Sequence, residues 1–337
     1  MGDFSPDFIS RCAAGNLAFI MEFCPKLYFL TGCTAVGKTE ISLYLARKLN
    51  AEILSCDSVQ VYRGADIGSA KISLAERQEI PHYGIDLCSP DHCFSVDQYQ
   101  SYVRKLIPEM AQRKRNLLIV GGTGFYLKSF FSSVTDAIAV PQEVRNEVEN
   151  LYRCEGIDAL QRAIQSYGET DINESDWSNA YRLCHILEKQ KVTNLPQVEL
   201  KRQFLSNEVP YANFFKTVIC LQRSRDSLVR RAEIRLNAMF VDGFLKEAEN
   251  LWNRYGASIA RPLRQAVGYK TLFDFFQYGG DLKDAKQLIL IATRHLIKKQ
   301  ETWLKKQIPI DHFIDLDRNS SNESFDFIDS VFRGNRI

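Results

Sequence analysis

The sequence has no long apolar run. Nowhere in its 337 residues do about 18 apolar side chains follow one another, and a transmembrane helix needs roughly that many. The first residues include the acids Asp3 and Asp7, with no basic cluster ahead of an apolar stretch, so they lack the pattern of a secretory signal peptide. We therefore expect a cytoplasmic protein that does not enter a membrane.

Paired cysteines and a strong charge of one sign are also missing. The nine cysteines include no C-x-x-C pair, which argues against a disulfide framework or a zinc finger. Cys88 and Cys93, with His82 and His92 nearby, match the spacing of no common zinc module. The sequence has 43 Lys and Arg residues and 41 Asp and Glu residues, for a net charge of +2. Nucleic-acid binding would therefore require a local basic surface.

One strong motif is present near the start of the chain. Residues 32–39 read G-C-T-A-V-G-K-T, and they lie between the apolar run at 27–30 and a helical pattern that begins at Glu40. This order of strand, glycine-rich loop and helix is typical of a phosphate-binding P-loop. The predicted phosphate-binding residues are Gly32, Cys33, Thr34, Ala35, Val36, Gly37, Lys38 and Thr39.

The residue types in this motif suit an anion. Gly32 and Gly37 permit backbone angles and close approaches that a Cβ would block, so successive amides can point at one ligand. The ammonium of Lys38 suits a terminal phosphate, and the hydroxyl of Thr39 suits a Mg2+ ion that bridges phosphate oxygens. Taken alone, the motif predicts ATP or GTP binding, although it does not identify which diphosphate is bound.

Two further strands are predicted to end beside this loop. The segment 51–56 is followed at once by Asp57, and the segment 117–120 by the glycine-rich turn at 121–124. Ligands of open α/β sheets bind beyond the carboxyl ends of the strands, so Asp57 is expected at the same edge as the P-loop. The predicted fold class is α/β: a P-loop NTPase-like parallel sheet flanked by helices, with a helical insertion domain.

The composition and the periodicity of the sequence change along the chain. Helical periods and dense charge dominate after residue 134, and a strand pattern returns at 216–221. Short strands are also predicted at 82–87 and 312–316, and the long helix at 281–307 is basic. The predicted parts are an N-terminal extension (1–24), a first core part (25–133), a helical insertion (134–207), a return to the core (208–317) and a polar tail (318–337).

Several classes of P-loop protein fit the motif by itself. The sequence contains no N-K-x-D signature and no Asp directly after 117–120, which argues against a GTPase. For a small-molecule kinase the chain is long, and the segment D-S-V-Q-V-Y-R-G at 57–64 is unusually elaborate. A different reaction on a diphosphate is therefore an alternative.

Six blocks of sequence carry a resemblance to one family. They are D-S-V-Q-V-Y-R-G-A-D-I-G-S-A-K (57–71), H-Y-G-I-D (82–86), F-S-V (94–96), G-G-T-G-F-Y (121–126), V-G-Y-K (267–270) and Q-E-T-W (300–303). Together with the P-loop, they resemble the bacterial type of tRNA dimethylallyltransferase, or isopentenyl transferase. The resemblance implies that a dimethylallyl group passes from dimethylallyl diphosphate to the exocyclic N6 amine of adenosine 37, with release of pyrophosphate. The implied substrates are tRNAs that read codons beginning with U.

The resemblance also implies roles for individual residues. Asp57 would act as general base for the adenine amine, and Thr123 would hydrogen-bond the target adenosine. Arg235 would reach the pyrophosphate, together with Mg2+ on Thr39, and Lys71 is a further candidate for contact with the same anion. The implied partners are the anticodon stem-loop of tRNA and dimethylallyl diphosphate, and the implied state is a monomer.

The RNA contacts implied by the resemblance lie in two parts of the chain. They are Asp57, Ser58, Val59, Gln60 and Thr123 in the core, and Arg145, Ser178, Asn179, Ala180, Tyr181 and Arg182 in the insertion. Because the target base must leave the anticodon stack, a base-flipping channel is expected, and Gln60 is a candidate to read a base edge.

The sequence departs from the family pattern at three positions. Cys33 replaces a proline, Val36 replaces a common Ser or Thr, and Asn179 stands where the first arginine of an R-x-x-R pair is usual. Phosphate binding is expected to survive the first two changes, because the glycines, Lys38 and Thr39 are intact. The third change leaves Arg182 alone at this anchoring point.

Three alternatives remain open at this stage. An adenylate isopentenyltransferase of the cytokinin type would share the P-loop and Asp57, but it would not need the long insertion with Arg145 and Arg182. A P-loop module that binds RNA without catalysis is suggested by the departures at Cys33, Val36 and Asn179. A small-molecule kinase would need only the P-loop.

Overall fold

The computed structural model describes residues 23–134, 136, 138–207, 209–318 and 321–333. The described strands form a six-stranded sheet of order β3-β2-β4-β1-β5-β6, and every neighbouring pair is parallel. They are β1 (Leu27–Gly32), β2 (Ala51–Cys56), β3 (His82–Tyr83), β4 (Asn116–Gly121), β5 (Lys216–Gln222) and β6 (His312–Asp315). The predicted α/β class is confirmed.

The register of the central strands brings their carboxyl ends to one level. Thr31 lies opposite Gly121, Gly32 lies opposite Leu221, and Cys56 also lies opposite Gly121. Since parallel strands point the same way, the segments that follow β1, β2 and β4 leave the sheet along the same edge. That edge carries the candidate site.

Both faces of the sheet are buried, as β1 illustrates. Leu27 and Phe29 belong to the apolar core on one face, and Tyr28 and Leu30 belong to the core on the other. Side chains alternate between the faces of a strand, so a strand covered on both sides is apolar throughout. This explains the continuous apolar runs in the sequence.

The first helices of the core alternate with these strands. They are α1 (Lys38–Lys48), α2 (Leu74–Glu79), α3 (Val96–Gln112) and α4 (Gly124–Lys128). Helix α3 begins with the predicted capping box, in which Ser95 and Gln98 each bond the backbone amide of the other.

Residues Ser133–Val209 form a compact unit of their own, in the region where the sequence predicts an insertion at 134–207. Its helices are α5 (Gln142–Glu155), α6 (Ile157–Gln165), α7 (Glu174–Trp177), α8 (Ala180–Thr193) and α9 (Gln197–Leu205). Its internal core consists of Val148, Leu160, Ile164, Leu183 and Leu187. The helical periodicity of this segment therefore reflects an apolar core within the unit.

The chain then returns to the first unit through β5. The remaining helices are α10 (Arg225–Val241), α11 (Phe244–Tyr255), α12 (Arg261–Arg264), α13 (Tyr269–Tyr278), α14 (Leu282–Gln307) and α15 (Ser321–Phe332), with a 3-10 turn at Gly256–Ser258. Among the described helices, none combines the length and the apolar composition needed to cross a membrane.

The predicted polar tail at 318–337 is wrong for its middle part, which is helix α15. Ile328, Val331 and Phe332 are buried, and the ring of Phe332 meets that of Tyr28 on β1 at 5.1 Å. The Asn and Ser residues near 320 obscure the apolar spacing that follows them, and tertiary packing decides the outcome.

Two other predictions compare with the structure as follows. The short strand expected at 82–87 is limited to His82–Tyr83, because Gly84 has a φ of +76° and turns the chain out of the extended conformation. The N-terminal extension expected at 1–24 lies outside the described residues, except for its last two.

Helix α15 generates a stability prediction. Phe332→Ala removes a fully buried ring and should lower the free energy of unfolding by about 3–5 kcal/mol, as measured by urea denaturation. Phe327→Ala, on the same helix but 36% exposed, is the control and should cost much less. Equal small losses in both variants would mean that α15 contributes little to the core.

Candidate functional site

The P-loop between β1 and α1 has the backbone conformation that its glycines predict. Gly32 has a φ of +142° and Gly37 a φ of +110°, both of which disfavour a side chain. A Cβ on Gly32 would lie 2.6 Å from the carbonyl oxygen of Leu221. Helix α1 begins directly after Gly37, so its free amides and its positive dipole end lie at the loop.

The amino group of Lys38 folds back over this loop. Its Nζ donates to the carbonyl oxygens of Gly32 and Cys33, each at 2.9 Å. Burial, together with the smaller effect of the positive charge of Arg235, lowers the pKa of Lys38 to about 8. The ammonium is therefore poorly solvated, which favours its interaction with an anion.

Three side chains from distant parts of the chain support the P-loop. Gln300 on α14 accepts a hydrogen bond from the Thr34 amide at 2.9 Å. Arg231 Nε donates to the carbonyl of Ala35 at 2.8 Å, and Arg223 Nε to that of Val36 at 3.0 Å. No local sequence pattern indicates that these three residues belong to the site, although the block Q-E-T-W contains Gln300.

Cys33 occupies the loop position where the family pattern has proline. Its Sγ is buried and lies 3.7 Å from the carbonyl oxygen of Ile297 on α14. Burial raises the pKa of the Cys33 thiol to about 11, so the neutral thiol packs against the helix. The departure from the pattern is accommodated without disturbing the neighbouring glycine.

Asp57 lies at the carboxyl end of β2, as predicted. Its Oδ1 accepts hydrogen bonds from the amides of Val59 at 2.8 Å and Gln60 at 3.4 Å. Among the described residues, no hydrogen bond to its second oxygen is found. One oxygen thus fixes the carboxylate and the other is available to a ligand.

Thr123 follows β4 and lies next to Asp57 in the structure. Its Oγ1 accepts a hydrogen bond from the Ser58 amide at 3.0 Å, and it does not cap the helix that it precedes. The hydroxyl therefore connects two of the turns at the sheet edge.

A cavity of about 580 Å³ opens at this edge. Its wall includes Lys38, Thr39, Asp57, Arg231 and Arg235, so that it carries cations, a carboxylate and the amides of the P-loop. This composition fits an anionic ligand with a nearby base.

A smaller cavity of about 130 Å³ adjoins the first. The two share Thr34, Asp57, Ser69 and Arg235 in their walls. Most of the other lining side chains are apolar: Val59, Ala232, Leu236, Met239, Phe244, Val267, Ile289 and Leu296. The site thus combines an anion-binding part and an apolar part that meet at Asp57 and Arg235.

Arg235 lies on α10 and faces both cavities. Burial lowers the pKa of its guanidinium, and the negative charge of Asp57 acts in the opposite direction. The cation is therefore directed into the site next to the carboxylate, where the sequence predicts it.

Two predicted ligand contacts have partners within the protein instead. Lys71 Nζ donates to the carbonyl of Tyr62 at 2.5 Å and to the carboxylates of Asp66 and Asp86, both at 2.7 Å. With its side chain 1% exposed and its three protons used, the expected contact of Lys71 with the diphosphate is wrong.

Gln60 is similarly engaged. Its amide oxygen accepts from Ser55 Oγ at 2.7 Å, and its Nε2 donates to the carbonyls of Ser69 and Ala70 at 3.2 Å. Gln60 lines the larger cavity, but its side chain connects β2 to the loop at 66–71. Reading a base edge would require it to give up one of these bonds.

Glu247 on α11 is a further residue of the site. Its carboxylate accepts hydrogen bonds from three successive amides, those of Asp66, Ile67 and Gly68, at 2.9, 2.7 and 3.0 Å. The hydroxyl of Tyr269 donates to it at 2.6 Å. A Glu 180 residues away in the chain thus fixes the loop that walls both cavities, and no local pattern indicates this contact.

The remaining predicted residues lie on the helical unit at 133–209. Arg145 is an exposed residue of α5. Asn179 is the N-cap of α8, and its side chain accepts from the Arg182 amide, which gives a structural reason for an Asn at this position. Arg182 forms an ion pair with Asp176.

Comparisons with known proteins agree on one family. The chain matches the family model described as IPP transferase over residues 60–307. A protein of Opitutus terrae named tRNA dimethylallyltransferase is 36% identical over 290 residues, which cover 86% of this chain and 92% of that protein.

Solved structures give the same result. The full-length tRNA isopentenylpyrophosphate transferase of Bacillus halodurans matches with a TM-score of 0.67 and 30% identity, covering 92% of this chain and 96% of that one. A eukaryotic dimethylallyltransferase acting on tRNA has a TM-score of 0.70 at 21% identity, with coverage of 93% and 81%, and supports the fold.

The geometry at Glu247 generates a prediction. Glu247→Gln keeps the shape but weakens bonds that are charge-assisted, so the loop at 66–71 should loosen. We expect pyrophosphate, used as a probe of the larger cavity, to bind at least about tenfold more weakly, because misplaced site walls cost affinity. Isothermal calorimetry on the folded variant measures this change.

Glu249→Gln is the matched control. Glu249 lies on the same helix and pairs with Lys246 at the surface, so its removal should leave the affinity unchanged. A lower unfolding temperature for Glu247→Gln with unaltered diphosphate affinity would limit Glu247 to a purely structural role.

Proposed function

This chain belongs to the IPP transferase family, and we propose that it transfers a dimethylallyl group from dimethylallyl diphosphate to the N6 amine of an adenosine in tRNA. The observation that carries the proposal is the meeting of two cavities at Asp57 and Arg235, one able to hold an anion and one apolar. A donor with a charged diphosphate and a branched hydrocarbon tail matches both.

The P-loop binds the diphosphate. Its amides, the ammonium of Lys38 and the guanidinium of Arg235 surround the larger cavity, where they stabilise the negative charge that grows as pyrophosphate departs. The P-loop serves as a leaving-group site. This differs from the role of a P-loop in phosphoryl transfer, where the terminal phosphate is passed on.

The dimethylallyl group lies in the smaller cavity. The apolar side chains of Met239, Phe244 and Leu296 exclude water from the allylic carbon, which protects a centre with positive character from hydrolysis. Arg235 lies between the cavities and touches the diphosphate rather than the hydrocarbon.

Thr39 is the residue that would hold Mg2+. Its side chain lines the larger cavity, and among the described residues its hydroxyl forms no hydrogen bond, so it is available as a ligand. Mg2+ is typically bound by one or two protein oxygens and by phosphate oxygens, so the residues present fit the ion. When bound, Mg2+ supplies neutralising charge to the diphosphate.

Asp57 acts as the general base. The N6 nitrogen forms a bond to the allylic carbon as the bond from that carbon to the diphosphate oxygen breaks, and the electron pair leaves with pyrophosphate. The N6 proton moves to the free oxygen of Asp57, whose other oxygen is fixed by the amides of Val59 and Gln60. The hydroxyl of Thr123, next to Ser58, orients the adenosine.

The acceptor is a tRNA anticodon stem-loop. The names of the relatives support tRNA over AMP, and the separate unit at 133–209 provides Arg145 and the segment 178–182 for RNA contacts. An adenylate isopentenyltransferase of the cytokinin type has no need of such a unit, so this alternative is not favoured.

A transfer assay tests the proposal. Incubation with labelled dimethylallyl diphosphate and either unmodified tRNA or AMP should label the tRNA. Asp57→Asn preserves the hydrogen-bond acceptor but cannot take up the proton, so kcat should fall by about 10²- to 10⁴-fold, with little change in the affinity for tRNA.

Asp311→Asn is the control for this substitution. Asp311 also accepts a backbone amide, that of Val218 at 2.7 Å, but it does not line the cavities. Its kcat should remain close to that of the parent protein. Labelling of AMP alone, or full turnover by Asp57→Asn, would reject the proposed reaction or the proposed base.

The pKa of Lys38 predicts a pH dependence. With a pKa of about 8, the side chain is cationic below that pH and neutral above it. We therefore expect kcat/KM for dimethylallyl diphosphate to fall as the pH rises through about 8, since this ratio reports the free enzyme. In Lys38→Arg, whose guanidinium stays charged, the alkaline decline should disappear. An unchanged decline in that variant would assign it to another group.

A further inference from the structure

An exposed aromatic side chain lies on the surface next to the site. Phe125, on α4, is 57% exposed, and its ring centroid lies 5.9 Å from that of Trp303 on α14. Trp303 in turn packs closely over Gly124, where a Cβ would come within 2.7 Å of the indole. The backbone around Phe125 is therefore held in place, and its ring is accessible to a partner.

The helix beside Phe125 is strongly basic. Between residues 291 and 307, α14 has five cations, Arg294, Lys298, Lys299, Lys305 and Lys306, and one acid, Glu301. Within the described part of the chain, none of these five cations forms an ion pair. Lys299 and Lys306 are four residues before and three residues after Trp303, so they share its side of the helix.

This surface adjoins the active-site edge. Phe125 follows Thr123 by two residues, and Gln300, one turn before Trp303, bonds the Thr34 amide at 2.9 Å and the Gly122 carbonyl at 3.4 Å. Gln300, which bonds the P-loop, and Trp303 are separated by about one helical turn, or about 5 Å along the helix axis. A ligand that enters the cavity over the turn at 121–124 would therefore meet Phe125.

We propose that Phe125 stacks against a nucleobase of the anticodon loop next to the extruded adenosine, and that Lys299 and Lys306 contact the adjacent phosphates. This inference rests on the proposed function. Proteins recognise single-stranded RNA loops by stacking splayed bases on aromatic rings, and they follow its backbone with cations. A flat aromatic ring beside unpaired positive charges is suited to RNA, which offers both bases and phosphates. An apolar protein segment is a poorer match, because it would bury the Lys ammonium groups against apolar atoms.

Binding of a 17-nucleotide anticodon stem-loop, followed by fluorescence anisotropy over a range of salt concentrations, tests the proposal. Phe125→Ala should weaken binding by about 5- to 150-fold, the range for one stacked base, and Phe125→Trp should retain affinity. Phe125→Leu keeps an apolar contact with Trp303 but lacks the flat ring, and it should also lose affinity. The KM for dimethylallyl diphosphate should be unchanged in all three.

The two lysines are tested separately, by the salt dependence of RNA binding. Lys299→Ala and Lys306→Ala should each reduce the slope of log Kd against log salt by about 1. The controls are Lys283→Ala, on another face near the start of the same helix, and Tyr278→Ala, which removes an aromatic ring that is 77% exposed on α13. Both controls should bind RNA like the parent protein.

The outcomes separate this inference from the proposed function. If the parent protein prenylates tRNA but Phe125→Ala and Phe125→Leu bind RNA with the affinity of the Tyr278→Ala control, the inference alone is wrong. Equal salt slopes for Lys299→Ala and Lys283→Ala would reject the phosphate contact. If the parent protein neither binds nor modifies tRNA, the proposed function fails, and this inference fails with it.

Discussion

The parallel pairing of β4 with β1 and β2 is the constraint on which the site depends. Because Gly121 at the end of β4 lies opposite Thr31, one residue before the end of β1, and opposite Cys56 at the end of β2, the P-loop, the Asp57 turn and the Thr123 turn all begin at the same edge of the sheet. A slip of two residues in either pairing would move one of these turns by about 7 Å, which is more than a hydrogen bond can bridge. The buried apolar side chains on both faces fix this register, so packing in the core determines geometry at the surface.

Local patterns made much of this arrangement predictable. The P-loop, Asp57 at the end of β2 and the return of the chain to the sheet at β5 each follow from short stretches in which strand, turn and helix signals agree. The residues that support the site from distant parts of the chain cannot be predicted from such short stretches. Gln300 is separated from Thr34 by 266 residues and Glu247 from Ile67 by 180, and only the tertiary fold brings them together. Lys71 is the converse case: its charge and position in the sequence suggest a ligand contact. In the structure, Asp66, Asp86 and the Tyr62 carbonyl use all of its protons.

The departures from the family pattern have structural explanations of different kinds. Cys33 fits because its thiol packs against the backbone of α14, and Asn179 caps α8 in the position where an arginine would extend toward solvent. Helix α15 is hidden by its composition: the apolar residues Ile328, Val331 and Phe332 recur at helical intervals behind a stretch rich in Asn and Ser. In each case contacts made within the folded chain determine the role of the residue.

The carboxylate of Glu247 has a consequence for where an anion can bind. Three convergent amides, those of Asp66, Ile67 and Gly68, resemble the backbone nests that bind phosphate in other proteins. The protein occupies this nest with a carboxylate of its own, so the same amides are not available to a second anion. The larger cavity is lined instead by the P-loop, with Lys38 and Arg235 beside it. The fold thus contains two sets of amides suited to a phosphate, and one of them is closed by an anion that belongs to the protein.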